Sequence, residues 1–336
     1  MPSDPVVSVF VRVRDESEAL QATLDNLARQ RFDGDMEVVV LDNESRDGSP
    51  EVALRSGARV FSLPRSLFGY GRALNLGVEL CRGTVVVLLS AHSVPQDADW
   101  LAQFVAPLLA DPAIGAAFCR QVPHGPVSRL ELRRFRYFPG RSTVLDGKEF
   151  LEGCRQGKDP YELAVFSNSA AAVRRDAALA DPFRDLLYAE DRAFAVDHLA
   201  RGGKIVYVHE AVVSYERVST WKGSYHVGRR AQVSRRLIRE LAAIHSGRRF
   251  DSGPDTINRL LRATAVVPGL LIQLVGAATE RRGTRRRAAT FILQSTGSTL
   301  GLAVGAITWR RHVETLVPDA EMLEEARRRC RPLTLV

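Results

Sequence analysis

Four short polar clusters carry the side chains of this chain most able to do chemistry, and each stands at the end of an apolar run or the start of a helical one. Ser90-Ala91-His92 closes the run Val85-Val86-Val87-Leu88-Leu89. Arg14-Asp15-Glu16 closes Val6–Val13, and Asp42-Asn43-Glu44-Ser45-Arg46-Asp47 closes Glu37–Leu41. Glu190-Asp191 opens a helical stretch that ends near Arg201. A carboxylate at a strand end accepts hydrogen bonds from a nucleobase N–H or from ribose hydroxyls. A carboxylate held in a cleft takes a proton from an attacking hydroxyl, and of two adjacent acids one orients or ligates while the other does chemistry. Plainer uses stand beside these. Polar turns routinely follow strands, a histidine at a strand end is usually a hydrogen-bonded structural residue, and acids at a helix start meet the positive end of its dipole.

The elements that must position these clusters are legible from periodicity. A valine- and leucine-rich run without polar alternation, as at 85–89, reads as a strand buried on both faces, in the middle of a parallel sheet. Its carboxyl end then presents Ser90 and His92 where open α/β sheets bind ligands. Further strands are expected at 6–13, 37–41, 59–62 and 204–208, with helices at 18–30, 50–56, 73–81 and 189–201. Strands alternating with helices indicate βαβ units. The expected fold class is α/β, with a mostly parallel central sheet flanked by helices and a mainly helical, basic C-terminal region. No GxGxxG or GxxxxGK[ST] motif occurs. Phe68-Gly69-Tyr70-Gly71-Arg72 reads either as a turn and helix start or as backbone N–H groups with Arg72 near a phosphate. From Gln121 to Asp159 the pattern degrades. Arg129–Arg136 is basic and aromatic, Gly140–Lys158 is rich in glycine and charge, and the stretch reads as a long excursion or lid over a site.

The chain has 336 residues, enough for about two domains, with 45% apolar and 26% charged residues as in soluble globular proteins. Its net charge of +8 is uneven. Residues 217–336 hold 22 Arg/Lys against 9 Asp/Glu, the remainder 25 against 30. The expected division is therefore a first unit over 1–220 and a helical, basic region over 221–336. The four cysteines form no CxxC pair, which argues against structural zinc or a disulfide scaffold and fits a reducing cytosol. Met1-Pro2-Ser3-Asp4 lacks the basic and apolar regions of a signal peptide, so a cytoplasmic location is expected. Ala263–Thr279 and Ala288–Trp309 are uncharged over 17 and 22 residues, separated by Arg281, Arg282, Arg285, Arg286 and Arg287. The reading favours helices lying on an anionic membrane surface, peripheral to the inner face of the plasma membrane. Buried helices and a spanning hairpin are the alternatives. No nucleic-acid motif is present, so no nucleic-acid partner is expected.

Seven segments in order carry a resemblance. They are Val7-Ser8-Val9-Phe10-Val11-Arg12-Val13-Arg14-Asp15-Glu16, Glu37-Val38-Val39-Val40-Leu41-Asp42-Asn43-Glu44-Ser45-Arg46-Asp47-Gly48-Ser49, Phe68-Gly69-Tyr70-Gly71-Arg72-Ala73-Leu74-Asn75-Leu76-Gly77, and Leu89-Ser90-Ala91-His92-Ser93-Val94-Pro95 with Trp100-Leu101. Arg120-Gln121-Val122-Pro123, Ser167-Asn168-Ser169-Ala170-Ala171-Ala172-Val173-Arg174-Arg175 and Ala189-Glu190-Asp191-Arg192-Ala193-Phe194-Ala195 complete the set. Over about residues 6–220 the chain resembles family 2 glycosyltransferases of the GT-A fold, nearest to the rhamnosyltransferase-like branch.

The resemblance implies an inverting transfer of a sugar from a UDP- or dTDP-activated donor to a carbohydrate, lipid-linked or small-molecule acceptor hydroxyl. It implies Asp42 at the donor's base with Glu16 and Arg12 beside it, Arg72 and Asn75 near base and phosphates, and Asn168 near the donor sugar. Asp191 would be the base, with Glu190 alongside. Ser90-Ala91-His92 stands where the family has Asp-x-Asp, so His92 would be the metal or diphosphate contact for Mn²⁺ or Mg²⁺, and histidine suits manganese better. The absent carboxylates make altered metal dependence an expectation and leave open a catalytically degenerate, nucleotide-sugar-binding protein. Where the family often has His-x-His, this chain has Tyr215 and Arg217, the latter suited to a leaving diphosphate.

Overall fold

A computed structural model describes residues 5–124, 139–186, 188–215, 221–250 and 320–334, with backbone alone at 221–232 and 320. In chain order the elements are β1 (Val7–Val13), α1 (Ser17–Leu27), β2 (Met36–Asp42), α2 (Ser49–Arg55), β3 (Arg59–Ser62), α3 (Tyr70–Leu80), β4 (Val85–Ser90), β5 (Ser93–Pro95) and α4 (Trp100–Ala110). They continue with β6 (Ile114–Pro123), β7 (Thr143–Asp146), α5 (Gly147–Arg155), α6 (Pro160–Leu163), β8 (Ala170–Arg174), α7 (Arg175–Ala180), α8 (Glu190–Ala200) and β9 (Lys204–Tyr215). The last described elements are α9 (Trp221–Ser246), α10 (Ala320–Arg329) and β10 (Arg331–Leu333).

The strands form one sheet in the order β10-β3-β2-β1-β4-β8-β6-β9-β5, with β7 on β9. From β3 to β4 the pairs are parallel, as βαβ connections require. Beyond β4 the sheet is mixed, because β8 runs antiparallel to both β4 and β6 while β6 and β9 are parallel. The run at 85–89 is buried throughout, sending Val86 and Leu88 to one face and Val85, Val87 and Leu89 to the other. On the second face α1, α2 and α4 cover the sheet through Leu20, Leu24, Leu27, Val52, Trp100 and Phe104. On the first face the cover is α3, α5, α7, α8, α9 and α10. α3 lies close to β1 because Gly77 has no side chain, and a Cβ there would stand 2.4 Å from the Phe10 ring.

The excursion expected over 121–159 is in part regular structure. β6 runs to Pro123, and Gly140–Lys158 contains β7 and α5. The overlooked signal is Asp146, whose carboxylate caps α5 by accepting from the Lys148 and Glu149 N–H groups. Phe150 and Cys154 then fall one turn apart on the buried face. Arg129–Arg136 lies outside the described residues.

The boundary expected at 220 falls between β9 and α9, and the two sides share one apolar cluster. Ile238, Leu241, Ala242 and Ala326 pack in the cluster that holds Phe166, Phe194 and Tyr207. Ion pairs fasten α9 to the body of the fold, Arg239 to Asp159 at 2.7 Å and Arg235 to Glu162 at 3.0 Å. β10 adds antiparallel to β3 at the sheet edge, the position that tolerates Pro332. Among the described residues no helix is long and apolar enough to cross a membrane. The segments 263–279 and 288–309 lie outside them.

Asp146→Ala is expected to lower stability by about 1 kcal/mol, the usual cost of losing an N-cap. The measurement is the shift of the urea midpoint at unchanged slope.

Candidate active site

Parallel pairing sets three polar clusters side by side. In β1, Arg12 lies opposite Leu41 of β2 and Ser90 of β4, and Val13 lies opposite Asp42. The turns that follow are tight enough to force unusual backbone. Among the described residues the non-glycine positions with positive φ are Asp15 (52°), Glu44 (51°) and Ala189 (64°). Two of them follow β1 and β2, and the third precedes Glu190-Asp191. Such conformations cost about 1 kcal/mol or more and persist where surrounding contacts hold them.

At the β1–β2 end, Asp42 is buried and accepts the Ser45 N–H at 3.1 Å. Burial pushes its carboxyl above the ordinary range, with the charges of Asp15 and Asp47 adding to the push. Asn43 donates to the Leu63 carbonyl. Asp15 accepts from the Arg46 N–H and pairs with Arg65 at 3.1 Å, and Arg65 also donates to the Glu44 carbonyl. Asp47 accepts from the Ser17 and Ser49 N–H groups, so it ties the β2 turn to the start of α1. Glu16 and His92 meet, with Nδ1 3.0 Å from Oε2, and the Tyr215 ring stands edge-on to the imidazole with centroids 4.9 Å apart. A cleft of about 790 Å³ opens here, lined by Glu16, Glu18, Asp47, His92, His124 and Ser214 among others.

The acid pair stands at the head of α8, and Asn168 bridges it. The Asn168 Nδ2 donates to Glu190 Oε1 at 2.7 Å, and the Asn168 backbone N–H donates to the Asp191 carboxylate. Arg12 Nη2 donates to the Asn168 carbonyl and to its Oδ1, both at 3.3 Å. Glu190 is buried and Asp191 half-buried. Burial pushes both carboxyls above the ordinary range; the charge of Asp191 adds to the push on Glu190, and Arg12 opposes it in both. Glu190 is pushed up to about 7, and a carboxyl raised in this way beside a second raised one is equipped for proton transfer.

The expected site residues thus separate into two groups. Arg12, Asn168, Glu190 and Asp191 form one connected cluster, and Tyr215 links it to the other, since it faces the Arg12 guanidinium as well as His92. Asp42, Glu16, His92 and Ser90 stand on the adjoining strand ends. Arg72 and Asn75 are engaged with the segment before α8 instead. Arg72 pairs with Asp185 at 3.2 Å, and a Cβ at Gly69 would touch the same carboxylate. The Asn75 amide is fully used by Phe183, donating to its carbonyl at 2.9 Å and accepting its N–H at 2.8 Å. The Asn168 side chain is likewise committed at both ends. Tyr70, whose hydroxyl faces the Arg12 guanidinium, and Asp185, the partner of Arg72, are site neighbours without a sequence expectation. The aromatic-glycine pattern at 68–71 is the trace of Tyr70, whereas Asp185 leaves no local signal. Arg217 lies outside the described residues.

The residues do not fit a tightly held divalent cation. Such ions take about six ligands, with several carboxylate or carbonyl oxygens. Among the described residues no group of three or more His, Cys, Asp or Glu side chains converges. His92 and Glu16 supply one imidazole and one carboxylate already in contact with each other.

A model of glycosyl transferase family 2 matches residues 8–179. Cellulose synthase 2 of Novacetimonas hansenii is 24% identical over 245 residues, which is 71% of this chain and 15% of that protein. A PGL/p-HBAD biosynthesis glycosyltransferase of Mycobacterium bovis is 32% identical over 106 residues, 30% of this chain and 41% of that one. The chain therefore spans less than half the length of these two curated relatives. Among solved structures, a mannosyltransferase from Pyrobaculum calidifontis in complex with GDP-Man and Mn²⁺ superposes with a TM-score of 0.55 at 18% identity, over 92% of this chain and 88% of that one. Glucosyl-3-phosphoglycerate synthase from Mycobacterium tuberculosis, in complex with Mn²⁺, UDP and glucosyl-3-phosphoglycerate, gives 0.51 at 20% identity over 74% and 82%. At these identities the likeness is one of fold, the GT-A architecture of a central sheet flanked by helices.

The donor set predicts weak metal dependence. The affinity for UDP, measured by thermal shift, is expected to change less than about tenfold, or about 1.4 kcal/mol, between Mn²⁺ and EDTA.

Proposed function

The chain belongs to glycosyl transferase family 2, whose model spans just over half of it, and on that premise we propose that it moves a sugar from a UDP- or dTDP-activated donor to an acceptor hydroxyl with inversion. The observation that carries the reading is the acid pair at the head of α8, buried against Arg12 and Asn168 beside the strand ends of Asp42 and Ser90. In this reaction the Asp191 carboxylate takes the proton of the acceptor hydroxyl. The freed oxygen attacks the anomeric carbon from the face opposite the leaving group, the bond from that carbon to the diphosphate oxygen breaks, and the electron pair leaves with the diphosphate. Glu190 stands alongside and bears on the charge of the pair. Asp42 accepts the donor base's N–H, a role supported by its burial and by the spare acceptor capacity of its oxygens. Asn75, Arg72 and Asn168 serve the donor from behind, by holding the 183–185 segment and the acid pair. His92 edges the cleft on the diphosphate side, and Ser90 stands behind it at the end of β4.

Within the family the motif set favours the rhamnosyltransferase-like branch, hence a hexose or 6-deoxyhexose donor. The acceptor is a cell-envelope polysaccharide, a lipid-linked sugar or a small molecule. The protein works in the cytoplasm, with the arginine cluster at 281–287 holding it peripherally to the anionic inner face of the plasma membrane. A second reading rests on the metal motif. With Ser90-Ala91-His92 in place of its carboxylates and no converging ligand group among the described residues, a protein that holds nucleotide-sugar without transfer is the alternative.

Asp191→Asn is expected to lower kcat by about 10²–10⁴-fold, the usual contribution of a general base, with UDP binding retained. Near-normal turnover overturns the base assignment, and absence of transfer by the wild type across an acceptor panel favours the second reading. Because burial raises the carboxyls of the pair, the acid limb of kcat/KM should lie above the ordinary carboxylate range of about 4. The full chain is expected to float with anionic but not neutral liposomes at low salt. Replacing Arg281, Arg282, Arg285, Arg286 and Arg287 by glutamine should abolish flotation.

A further inference from the structure

β1 ends with a guanidinium turned into the body of the fold. Arg12 uses one nitrogen, Nη2, to bridge the two oxygens of Asn168. Its Nε and Nη1 are buried without a hydrogen-bond partner. Buried donors left unpaired are costly, so the hydrogen bonds to Asn168 do not by themselves account for an arginine here. Its charge does. The charged and titratable groups facing it are Glu190 and Asp191 on α8, Tyr70 on α3 and Tyr215 on β9. The other cation near the pair, Arg192, has its guanidinium stacked on the Tyr161 ring at 3.9 Å and donating to the carbonyls of Tyr161 and Ala164. Arg12 is thus the cation whose side chain is joined to the acids through a continuous hydrogen-bond path. Asn168 completes that path by reaching both carboxylates at once.

We propose that Arg12 is a positioning residue for the acid pair, orienting Glu190 through Asn168 and keeping the pair negatively charged, rather than a contact to the donor's base. This rests on the reading of Asp191 as the base. Burial drives both carboxyls toward the protonated form, which cannot accept a proton; at Glu190 the Arg12 guanidinium is the foremost charge opposing that drive, and at Asp191 Arg12 adds to the larger opposition of Arg192. Nη2 bridges the two Asn168 oxygens while the guanidinium carries the charge; the ammonium of a lysine stands one bond closer to the backbone, so it supplies the charge without reaching that bridge.

The test uses full-length protein and two readouts, the pH profile of kcat/KM and the ¹³C-carboxyl NMR titration of Asp/Glu-labelled protein without substrate. Arg12→Met is expected to move the acid limb and the matching carboxyl titration upward by about one pH unit, a tenfold change in proton occupancy, with donor KM within about threefold. Arg12→Lys should return both titrations close to the wild type while kcat stays reduced. An unmoved limb together with a donor KM raised about tenfold overturns the proposal and makes Arg12 a donor contact. If Arg12→Met fails to fold, Asn168→Ala carries the test, since it breaks the path but keeps the charge. Reduced kcat with the Glu190 titration moved upward, because the Asn168 amide no longer donates to that carboxylate, supports the proposal, and unchanged kcat overturns it. Failure of the base assignment is told apart by Asp191→Asn. Retained turnover there rejects Asp191 as base, whereas the carboxyl titration in Arg12→Met, read without turnover, still reports whether Arg12 sets the charge of the pair.

Discussion

The parallel ladder of β1 between β2 and β4 is the constraint on which the rest of the molecule depends. It places Arg12, Asp42 and Ser90 on one edge although up to 78 residues separate them in the chain. Every strand end in a parallel arrangement points the same way, so polar turns that are separate in sequence become walls of one cleft. A slip of one residue in β1 would turn Arg12 toward α1 and Val13 toward the acid pair. The apolar faces prevent it, since Val7, Val9 and Val11 pack against α1 and α4 while Phe10 packs against α3.

Around that edge the fold holds arrangements that isolated peptides avoid. Among the described residues three non-glycine positions adopt left-handed backbone, two acids lie side by side at a helix head, and a guanidinium is buried with unpaired donors. Each is unfavourable locally and each is braced by its surroundings. Asp15 and Glu44 are tied by Arg65, and Glu190 and Asp191 are tied by Asn168. Strain and unsettled charge gathered at one sheet edge are the physical mark of a working site. The C-terminal region belongs to this economy too, because α9 covers α8 and so backs the helix that carries the acids. Its His245 reaches Asp197 at 2.9 Å, where Arg184 also pairs, which locks the far end of α8.

Sequence periodicity made the strands at 7–13, 36–42 and 85–90 legible, because each is a short run rich in valine that reads as strand without distant information, whereas β3 at 59–62, with Val60 alone buried, was legible from its place in the alternation of strands and helices. The helices at 17–27 and 70–80 were legible for the complementary reason, an apolar face repeating every turn, whereas the helix at 190–200 is buried on almost every side, charged residues included. The stretch 140–158 was not, because β7 is four residues long and half-exposed and α5 shows its identity mainly through the cap at Asp146. The mixed half of the sheet was equally hidden, since nothing within β8 states whether its neighbours run with it or against it.

The polar clusters, their places at element ends and the adjacency of Glu190 to Asp191 were determined by the sequence alone, because strand-end chemistry and helix caps are local. Which side chains are spent inside the protein was decided only by the tertiary structure. Asn75 is used up by Phe183, Arg72 by Asp185, and Asn168 by Arg12 and Glu190, partners between 22 and 156 residues away. The same packing that makes those bonds removes water from the acid pair, and burial, a property of the whole fold, gives the two carboxyls a charge balance that no local pattern encodes.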